Sequence, residues 1–403
     1  MRNREEFRDT ADAVVVGGGA IGLAVARELG LRGLSVVVVE RGKLGEEASH
    51  AAAGMLAPQA EADCADDFFR LQATGRDFYP TFAQALREET FCDIELDQTG
   101  TLYLALTDKD EEELERRFAW QTAAGLSVER LTTENARLLE PALSPRVRFA
   151  LRFPNDWQVE NRRLTTALAE SLKVYGVRAW ADTPAAALHV EGGRIAGVRV
   201  LNGYLSTRTV VLAAGAWSSR IPFAEGAGER IAGVAAERLQ HPRVEPVRGQ
   251  MLCFNPRPSI IQLMRNGHVV YTRRGYVVPR RDGRLLAGST TERVGFDKSV
   301  TGAGLQALVE QALEIAPGIA DLSLQATWAG LRPCAEDEQP LIGASAEARG
   351  LFYATAHYRN GILLAPLTGK LLAEMIVDGR TSPLLDAFTP QRFQHAATVS
   401  DGA

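Results

Sequence analysis

The fold is decided by one stretch of the sequence, Ala13-Val14-Val15-Val16-Gly17-Gly18-Gly19-Ala20-Ile21-Gly22. Its first four residues are apolar and mostly β-branched, which predicts a short strand buried on both faces. Closely spaced glycines follow, and residues 23–29 then place leucine and alanine at helical spacing. A second β-branched run, residues 35–39, leads directly into Glu40. The pattern predicts a strand, turn, helix and strand that bind a dinucleotide.

Each glycine of this turn has a separate physical reason. Gly17 permits the tight turn, Gly19 lets the backbone approach a pyrophosphate, and Gly22 lets the helix pack closely on the strand. The helix N-terminus offers free N–H groups and the positive end of its dipole to phosphates. Glu40 can accept hydrogen bonds from ribose hydroxyls, and its charge would repel a 2′-phosphate, which disfavours NADP.

Composition restricts the class of protein. A chain of 403 residues suits two domains, and a formal charge of −5 argues against nucleic acid as a partner. The four cysteines are scattered without metal-binding spacing, which predicts reduced thiols and no metal site. Residues 1–12 lack an apolar signal segment, and the apolar stretch 13–26 is too short to span a bilayer. We therefore expect a cytoplasmic protein without an integral membrane segment.

Three features favour FAD over NAD as the dinucleotide. The glycine motif lies near the start of the chain, and residues 209–215 form an apolar run that ends in Ala-Ala-Gly. Strands at 186–190 and 195–200 are predicted to form a hairpin at Gly192-Gly193. Residues 48–58 are mostly small and suggest backbone packed against a flat group. Considered singly, an ordinary buried strand and an alanine-rich helix start remain alternatives.

The sequence resembles the D-amino-acid oxidase superfamily of FAD-dependent oxidoreductases, and within it the glycine oxidase (ThiO) branch. The matching stretches lie in order over nearly the whole chain. They are residues 14–22, 48–58, 246–251, 275–280, 328–333 and 357–366.

The resemblance implies an α/β fold with two discontinuous domains. A Rossmann-like FAD-binding (two-dinucleotide-binding) domain would comprise residues 10–89, 148–221 and 326–392. An antiparallel-sheet α+β substrate-binding domain would comprise residues 90–147 and 222–325. The patterns at 98–106 and 251–276 agree, because they predict strands with turns rather than alternating strands and helices.

The implied activity is oxidative deamination of glycine and other small amines or amino acids, such as sarcosine and D-alanine. A hydride would pass from the α-carbon to flavin N5, O2 would reoxidise the flavin to give H2O2, and imine hydrolysis would give an oxo acid such as glyoxylate. The resemblance also implies a role in thiamine (thiazole) biosynthesis and a homo-oligomer, namely a tetramer. Two alternatives stay open: a D-amino-acid or proline dehydrogenase that passes electrons to a quinone, and a flavin-binding module of a tRNA-modifying enzyme.

The substrate site is expected to centre on an arginine, because a guanidinium matches the two oxygens of a carboxylate. By resemblance this residue is Arg332, which precedes a proline that we expect to end its strand. Tyr276 would contact the same carboxylate, and Arg359 would lie near the flavin and the substrate amine. Arg274 and Thr291 stand at pocket positions where the family has other residues, which puts exclusive glycine specificity in doubt.

The predicted cofactor contacts are the residues of the glycine turn, the ribose end, the small-residue run and the segment that enters the last helix. They are Gly17, Gly19, Ala20, Ile21, Gly22, Glu40, Arg41, Ala48, Ser49, Ala53, Gly54, Met55, Ala185, Gly215, His357, Tyr358, Arg359, Asn360, Gly361, Ile362 and Leu363. A helix from 362 to 376 would direct its N-terminus at the flavin and stabilise negative charge on it.

Three further expectations concern residues near this site. His50 is interpreted as incidental, because hydride transfer needs no base. Cys334 lies near the place where some relatives attach flavin covalently, but its spacing differs, so non-covalent FAD is expected. Residues 222–241 look longer than is usual for the family, and a tolerated insertion is favoured over an active-site cover.

Overall fold

A computed structural model of the chain describes residues 7–201, 203–225, 239–255 and 266–393. The strands are β1 (Phe7–Thr10), β2 (Ala13–Val16), β3 (Val36–Val39), β4 (Met55–Leu56), β5 (Thr101–Ala105), β6 (Glu129–Thr132), β7 (Phe149–Phe153), β8 (Trp157–Gln158), β9 (Arg178–Trp180), β10 (Ala185–Glu191), β11 (Arg194–Val200), β12 (Gly203–Ser206), β13 (Val210–Leu212), β14 (Phe223–Glu225), β15 (Glu245–Phe254), β16 (Val269–Tyr271), β17 (Tyr276–Pro279), β18 (Leu285–Gly288), β19 (Leu324–Cys334), β20 (Leu341–Ala344) and β21 (Leu351–Thr355).

The helices are α1 (Ala20–Leu31), α2 (Ala48–Ala51), α3 (Pro58–Glu61), α4 (Asp67–Thr90), α5 (Asp108–Ala123), α6 (Thr133–Leu139), α7 (Asn161–Val174), α8 (Gly302–Ile315) and α9 (Gly361–Asp378). Short 3-10 turns occupy Gly215–Arg220, Pro317–Asp321, Pro383–Phe388 and Pro390–Phe393. In the described ranges, no helix combines the length and apolar character needed to cross a bilayer.

Strand β2, which leads into the glycine turn, lies inside a six-stranded sheet with the order β20-β21-β13-β2-β3-β9. All neighbouring pairs are parallel except β20 with β21. Both faces are covered, which explains why β2 and β3 are apolar at every position. One face packs against α1, α4, α7 and α9, and the other packs against a five-stranded sheet. The predicted α/β fold class is confirmed.

The five-stranded sheet has the order β1-β12-β11-β10-β14 and contains the predicted hairpin. β10 and β11 pair antiparallel, and Glu191 faces Arg194 across the turn. Gly192 and Gly193 both take positive φ, 56° and 73°, which the tight connection requires. Of the predicted insertion at 222–241, residues 226–238 lie outside the described residues.

An eight-stranded mixed sheet, of order β19-β15-β18-β17-β16-β5-β7-β6, supplies the second architecture that the sequence predicts. Its longest pair is β15 with β19. The prediction that the proline after Arg332 ends its strand was wrong, because β19 continues through Pro333 to Cys334. Pro333 faces Pro246 in the register, so the missing N–H of one proline faces a residue that also has none.

We propose the same division into two domains, with two boundaries moved. β7 and β19 both hydrogen-bond within the eight-stranded sheet. The second and third segments of the FAD-binding domain would therefore begin after β7 and after β19, rather than at residues 148 and 326.

Contact between bare backbones holds α1 on the central sheet. A Cβ built on Gly22 would lie 1.9 Å from the carbonyl oxygen of Gly17. A Cβ on Gly17 would lie 2.3 Å from the carbonyl oxygen of Ala213, and Gly17 has φ of 113°. Both positions therefore exclude every side chain, and the turn, α1 and β13 meet without intervening atoms.

A buried carboxyl group anchors α3. Asp156 is 0% exposed, and its two oxygens accept the N–H groups of Gln59 (3.1 Å) and Ala60 (2.7 Å). The nearest cation, Arg76, is 3.9 Å away. Burial raises the pKa of Asp156 to about 7, although these N–H groups and Arg76 oppose the shift.

We expect Gly22→Ala to destabilise the protein by about 1–3 kcal/mol, or to prevent folding, because the added methyl forces α1 away from the sheet. Urea denaturation measures the change. Gly302→Ala is the matched control, since Gly302 also lies in a first helical turn and its Cβ would meet no atom within 4 Å. Equal stability of the two variants would contradict the packing argument.

The raised pKa of Asp156 predicts a loss of stability with rising pH. Between the unfolded value near 3.9 and the folded value of about 7, the folded state retains a proton that the unfolded chain has lost. This contribution is present in full below pH ~4 and falls through that window, by on the order of 1–3 kcal/mol between pH 5 and pH 7. Asp156→Asn should remove it, and the exposed Asp321→Asn should not. Parallel urea-denaturation profiles for wild type and Asp156→Asn would refute the assignment.

Candidate active site

A cavity of about 370 Å³ opens between the glycine turn, the segment after β3 and the strands of the eight-stranded sheet. Most of the predicted site residues line it. They are Gly17, Gly19, Ala20, Ile21, Glu40, Arg41, Ala48, Ser49, Ala53, Gly54, Met55, Ala185, Gly215, Tyr276, Arg332, His357, Tyr358, Arg359, Asn360, Gly361 and Ile362. Residues of widely separated segments thus converge on one space.

Two helices present their N-termini to this cavity. In the part of the chain that is described, the N-cap residues Gly19 of α1 and Asn360 of α9 make no side-chain hydrogen bond to their helices, and Ser49 accepts one first-turn N–H of α1, that of Ala20. The first residues of both helices line the cavity. Because the first-turn N–H groups of a helix have no partner within it, both ends offer donors and partial positive charge to an anionic ligand.

Glu40 occupies the position expected for a ribose acceptor. Its two carboxylate oxygens accept the N–H groups of Gly18 (2.7 Å) and Gly42 (2.9 Å). These bonds fix the carboxylate and leave lone pairs for further donors. Nearby, Arg41 lies 3.5 Å over the ring of Trp217 and forms an ion pair with Glu47. Trp217 was not predicted from the sequence, although it lines the cavity.

The small-residue run is held from several sides through its backbone. Ser49 accepts the N–H of Ala20 at 2.9 Å, and Trp328 donates to the carbonyl of Ala51 at 3.0 Å. The buried Arg280 donates to the carbonyl of Ala53 at 2.7 Å. None of its partners in the described residues is a carboxylate, and burial lowers the pKa of Arg280 to about 10. Sequence reasoning missed this anchor.

Arg332 lies on β19 with its guanidinium in the cavity wall. Nη2 donates to Ser289 Oγ at 2.7 Å, and Nη1 donates to the carbonyl of Thr290 at 3.1 Å. A Cβ on Gly249 would lie 2.3 Å from Nη2, so this glycine provides the space for the guanidinium. Arg332 forms no ion pair with any acid in the described ranges. Burial lowers the pKa of Arg332, but an arginine still keeps its charge.

A second charged network holds the acceptors of Arg332. The buried Arg248 pairs with Glu292 and Asp297, each at 2.6 Å. Glu292 also accepts hydrogen bonds from Thr290 Oγ1 and from Gln250. Burial alone would raise the pKa of Glu292, but these three hydrogen bonds hold it at about 2. The segment that contacts Arg332 is therefore fixed by an ionised carboxylate.

Arg359 meets an acid that the sequence analysis did not single out. Its Nη2 lies 3.2 Å from Glu61 Oε1, and that oxygen also accepts the hydroxyl of Tyr271 at 3.1 Å. Tyr271 packs against Tyr276, with ring centroids 5.4 Å apart. Glu61 ends α3 and lines the cavity. In the sequence, Glu61 could have been recognised by its position three residues after Pro58, where the small-residue run ends.

Four predicted site residues do not line the cavity. Arg274 and Thr291 are exposed, and Arg274 turns outward from the β16–β17 turn to pair with Glu314 on α8. Gly22 and Leu363 instead pack inside the α/β core, where neighbouring backbone and apolar side chains surround them. Arg274 therefore lies away from the site, whereas Thr291 directly follows the Thr290 carbonyl that Arg332 binds but is exposed and does not line the cavity.

His357 is a neutral side chain beside the cavity. Burial lowers the pKa of His357 to about 3, and Nε2 lies 3.0 Å from Thr368 Oγ1. The exposed His50 and the buried Cys334 do not line the cavity. Within the described ranges, no cluster of three or more histidine, cysteine or acidic residues could hold a metal ion.

The cavity fits FAD. The glycine turn leaves a cradle that side chains would fill, two helix N-termini offer donors, and Glu40 offers acceptors. The small-residue run presents backbone rather than bulky side chains.

Comparison with known proteins agrees with this geometry. The model of the family described as FAD dependent oxidoreductase (DAO) matches residues 12–375. A glycine oxidase of Geobacillus kaustophilus is 34% identical over 394 residues, covering 94% of this chain and 97% of the relative. The bifunctional protein ThiO/ThiG of Synechocystis is also 34% identical, covering 96% of this chain and 55% of the relative, so the chain spans about half of that protein.

The crystal structure of glycine oxidase from Geobacillus kaustophilus superposes with a TM-score of 0.86 at 32% identity, covering 95% of this chain and 99% of that one. The family match extends from the residue before β2 into α9. The chain therefore belongs to the DAO family of FAD-dependent oxidoreductases.

Proposed function

We propose that this enzyme oxidises glycine and other small amines or amino acids, such as sarcosine and D-alanine. O2 is the acceptor and H2O2 a product, and hydrolysis of the imine gives an oxo acid such as glyoxylate. The names of the relatives support glycine as a substrate, and the ThiO/ThiG relative supports a role in thiamine biosynthesis.

One observation carries the proposal: Arg332 is a cavity-lining arginine without an acidic partner in the described part of the chain. A charge that is partly removed from water and has no counterion is unfavourable, and a ligand carboxylate relieves that cost. The planar guanidinium can hold both oxygens of the carboxylate and so fix the direction of the α-carbon. The cavity wall at Arg332 therefore favours a small ligand that carries a carboxylate group.

The residues of the glycine turn and Glu40 would hold FAD, which when bound would supply the acceptor for the hydride that leaves the α-carbon. The protein's residues bind and orient the substrate around it. Tyr276 lines the cavity and can add a hydrogen bond to the carboxylate held by Arg332. The N-terminus of α9 favours negative charge at the cavity. In hydride transfer, no side chain needs to remove a proton from carbon.

The mode of FAD attachment is proposed to be non-covalent. Cys334 is 1% exposed, donates to the carbonyl of Ala335 and does not line the cavity. A buried thiol turned away from the ligand cannot form a bond with it.

We expect the purified protein to contain FAD and to produce H2O2 when it is mixed with glycine, sarcosine or D-alanine in air. A coupled peroxidase assay and the flavin absorbance measure the two quantities. Bleaching without peroxide would favour a dehydrogenase that uses a quinone. Absence of bleaching with every amine would contradict the proposal and favour a non-oxidase flavin module.

Arg332→Met should lower kcat/KM for glycine on the order of a hundredfold to a thousandfold, because the substrate carboxylate loses its charged partner. Flavin absorbance at 450 nm should still report bound FAD. Arg274→Met is the control, since Arg274 is exposed and pairs with Glu314 outside the cavity. Similar losses in both variants would mean that Arg332 has no special part in binding.

A further inference from the structure

The charges at the substrate end of the cavity are unevenly matched. Two guanidinium groups, Arg332 and Arg359, and one carboxylate, Glu61, line this end. Glu61 pairs with Arg359 at 3.2 Å, and Arg332 has no acidic partner in the ranges that are described. One positive charge is therefore compensated inside the protein, and the other is left for a ligand.

These groups lie close enough to influence one another. Burial has the largest effect on the pKa of Arg332 and lowers it; beyond that, Tyr276 raises this pKa, the charge of Arg359 lowers it, and Glu61 raises it. The coulombic effect of Glu61 is the largest single influence on Arg359 and raises its pKa. A carboxylate bound at Arg332 balances the charges of the site, and a second carboxylate would face Glu61 without a free cation.

Glu61 is held firmly in this position. The N–H groups just before it are fixed by the buried Asp156, and its Oε1 accepts the hydroxyl of Tyr271. Asp156 thus holds the backbone that leads into Glu61, and Tyr271 holds its carboxylate beside Arg359.

We propose that Glu61 is a specificity-determining residue that occupies Arg359 and so restricts the site to substrates with a single carboxylate. Removal of its charge frees Arg359 to bind a second anionic group on the amine side of the substrate. The inference rests on the proposed oxidation of small amino acids and names the substrate class: monocarboxylates without a second anion.

The test uses two matched pairs of small molecules. Sarcosine and iminodiacetate differ by one carboxylate on the N-methyl group, and both are candidate substrates. Methoxyacetate and diglycolate are their ether analogues, which have no oxidisable amine. Turnover is measured with the first pair, and binding to the FAD-loaded protein is measured with the second pair by the change in flavin absorbance.

Glu61→Gln should shift kcat/KM for iminodiacetate relative to sarcosine, and affinity for diglycolate relative to methoxyacetate, by on the order of tenfold to a hundredfold toward the diacid. The double variant E61Q/R359M should lose this gain, because the freed cation is absent. Glu112→Gln, an exposed change of the same charge on α5, should leave both ratios unchanged.

Unchanged ratios in Glu61→Gln would overturn the inference, and so would an equal gain in the double variant. Should Gln at position 61 prevent retention of FAD, Glu61→Ala removes the same charge and is judged by the same ratios. A shift in the binding ratio without turnover of any amine would support the inference and refute the proposed oxidation. Turnover of sarcosine by the wild type with no shift of either ratio in Glu61→Gln would support the proposed oxidation and refute the inference.

Discussion

The partly buried charge of Arg332, which has no acidic partner in the described residues, is the constraint on which the architecture of the site depends. A guanidinium removed from water without a counterion costs several kcal/mol unless neutral acceptors and a ligand compensate it. The protein provides two neutral acceptors, Ser289 Oγ and the carbonyl of Thr290, and leaves the rest to the cavity. Gly249 gives the group its space, and the ionised Glu292 fixes the acceptors from behind. The guanidinium is thus left with hydrogen-bonding capacity and charge that a bound carboxylate can satisfy.

The nucleotide half of the site could be predicted from the sequence because its determinants are local. Gly17, Gly19 and Gly22 act within a few residues of one another, and Glu40 follows at the end of the next strand. Secondary structure places all of them without knowledge of tertiary contacts. The predicted strands, the hairpin at Gly192-Gly193 and the last helix were recognisable for the same reason.

The substrate half depends on contacts between distant segments. Arg359 and Glu61 are 298 residues apart, and Arg280 reaches a carbonyl 227 residues away. No local pattern indicates either contact, and Arg332 was identified only by resemblance. The same limitation explains Arg274 and Thr291, which are exposed and lie outside regular helices and strands. Periodicity gives no prediction there.

The anchoring of the small-residue run by Arg280 affects how this segment can change during evolution. All of its contacts at Ala53 and Val159 are made to backbone carbonyls, which every amino acid possesses. Side chains of the run can therefore be exchanged, within the limits of the available space, while the attachment to the larger sheet persists. Selection can thus remodel the surface beside the cofactor without first redesigning the support beneath it.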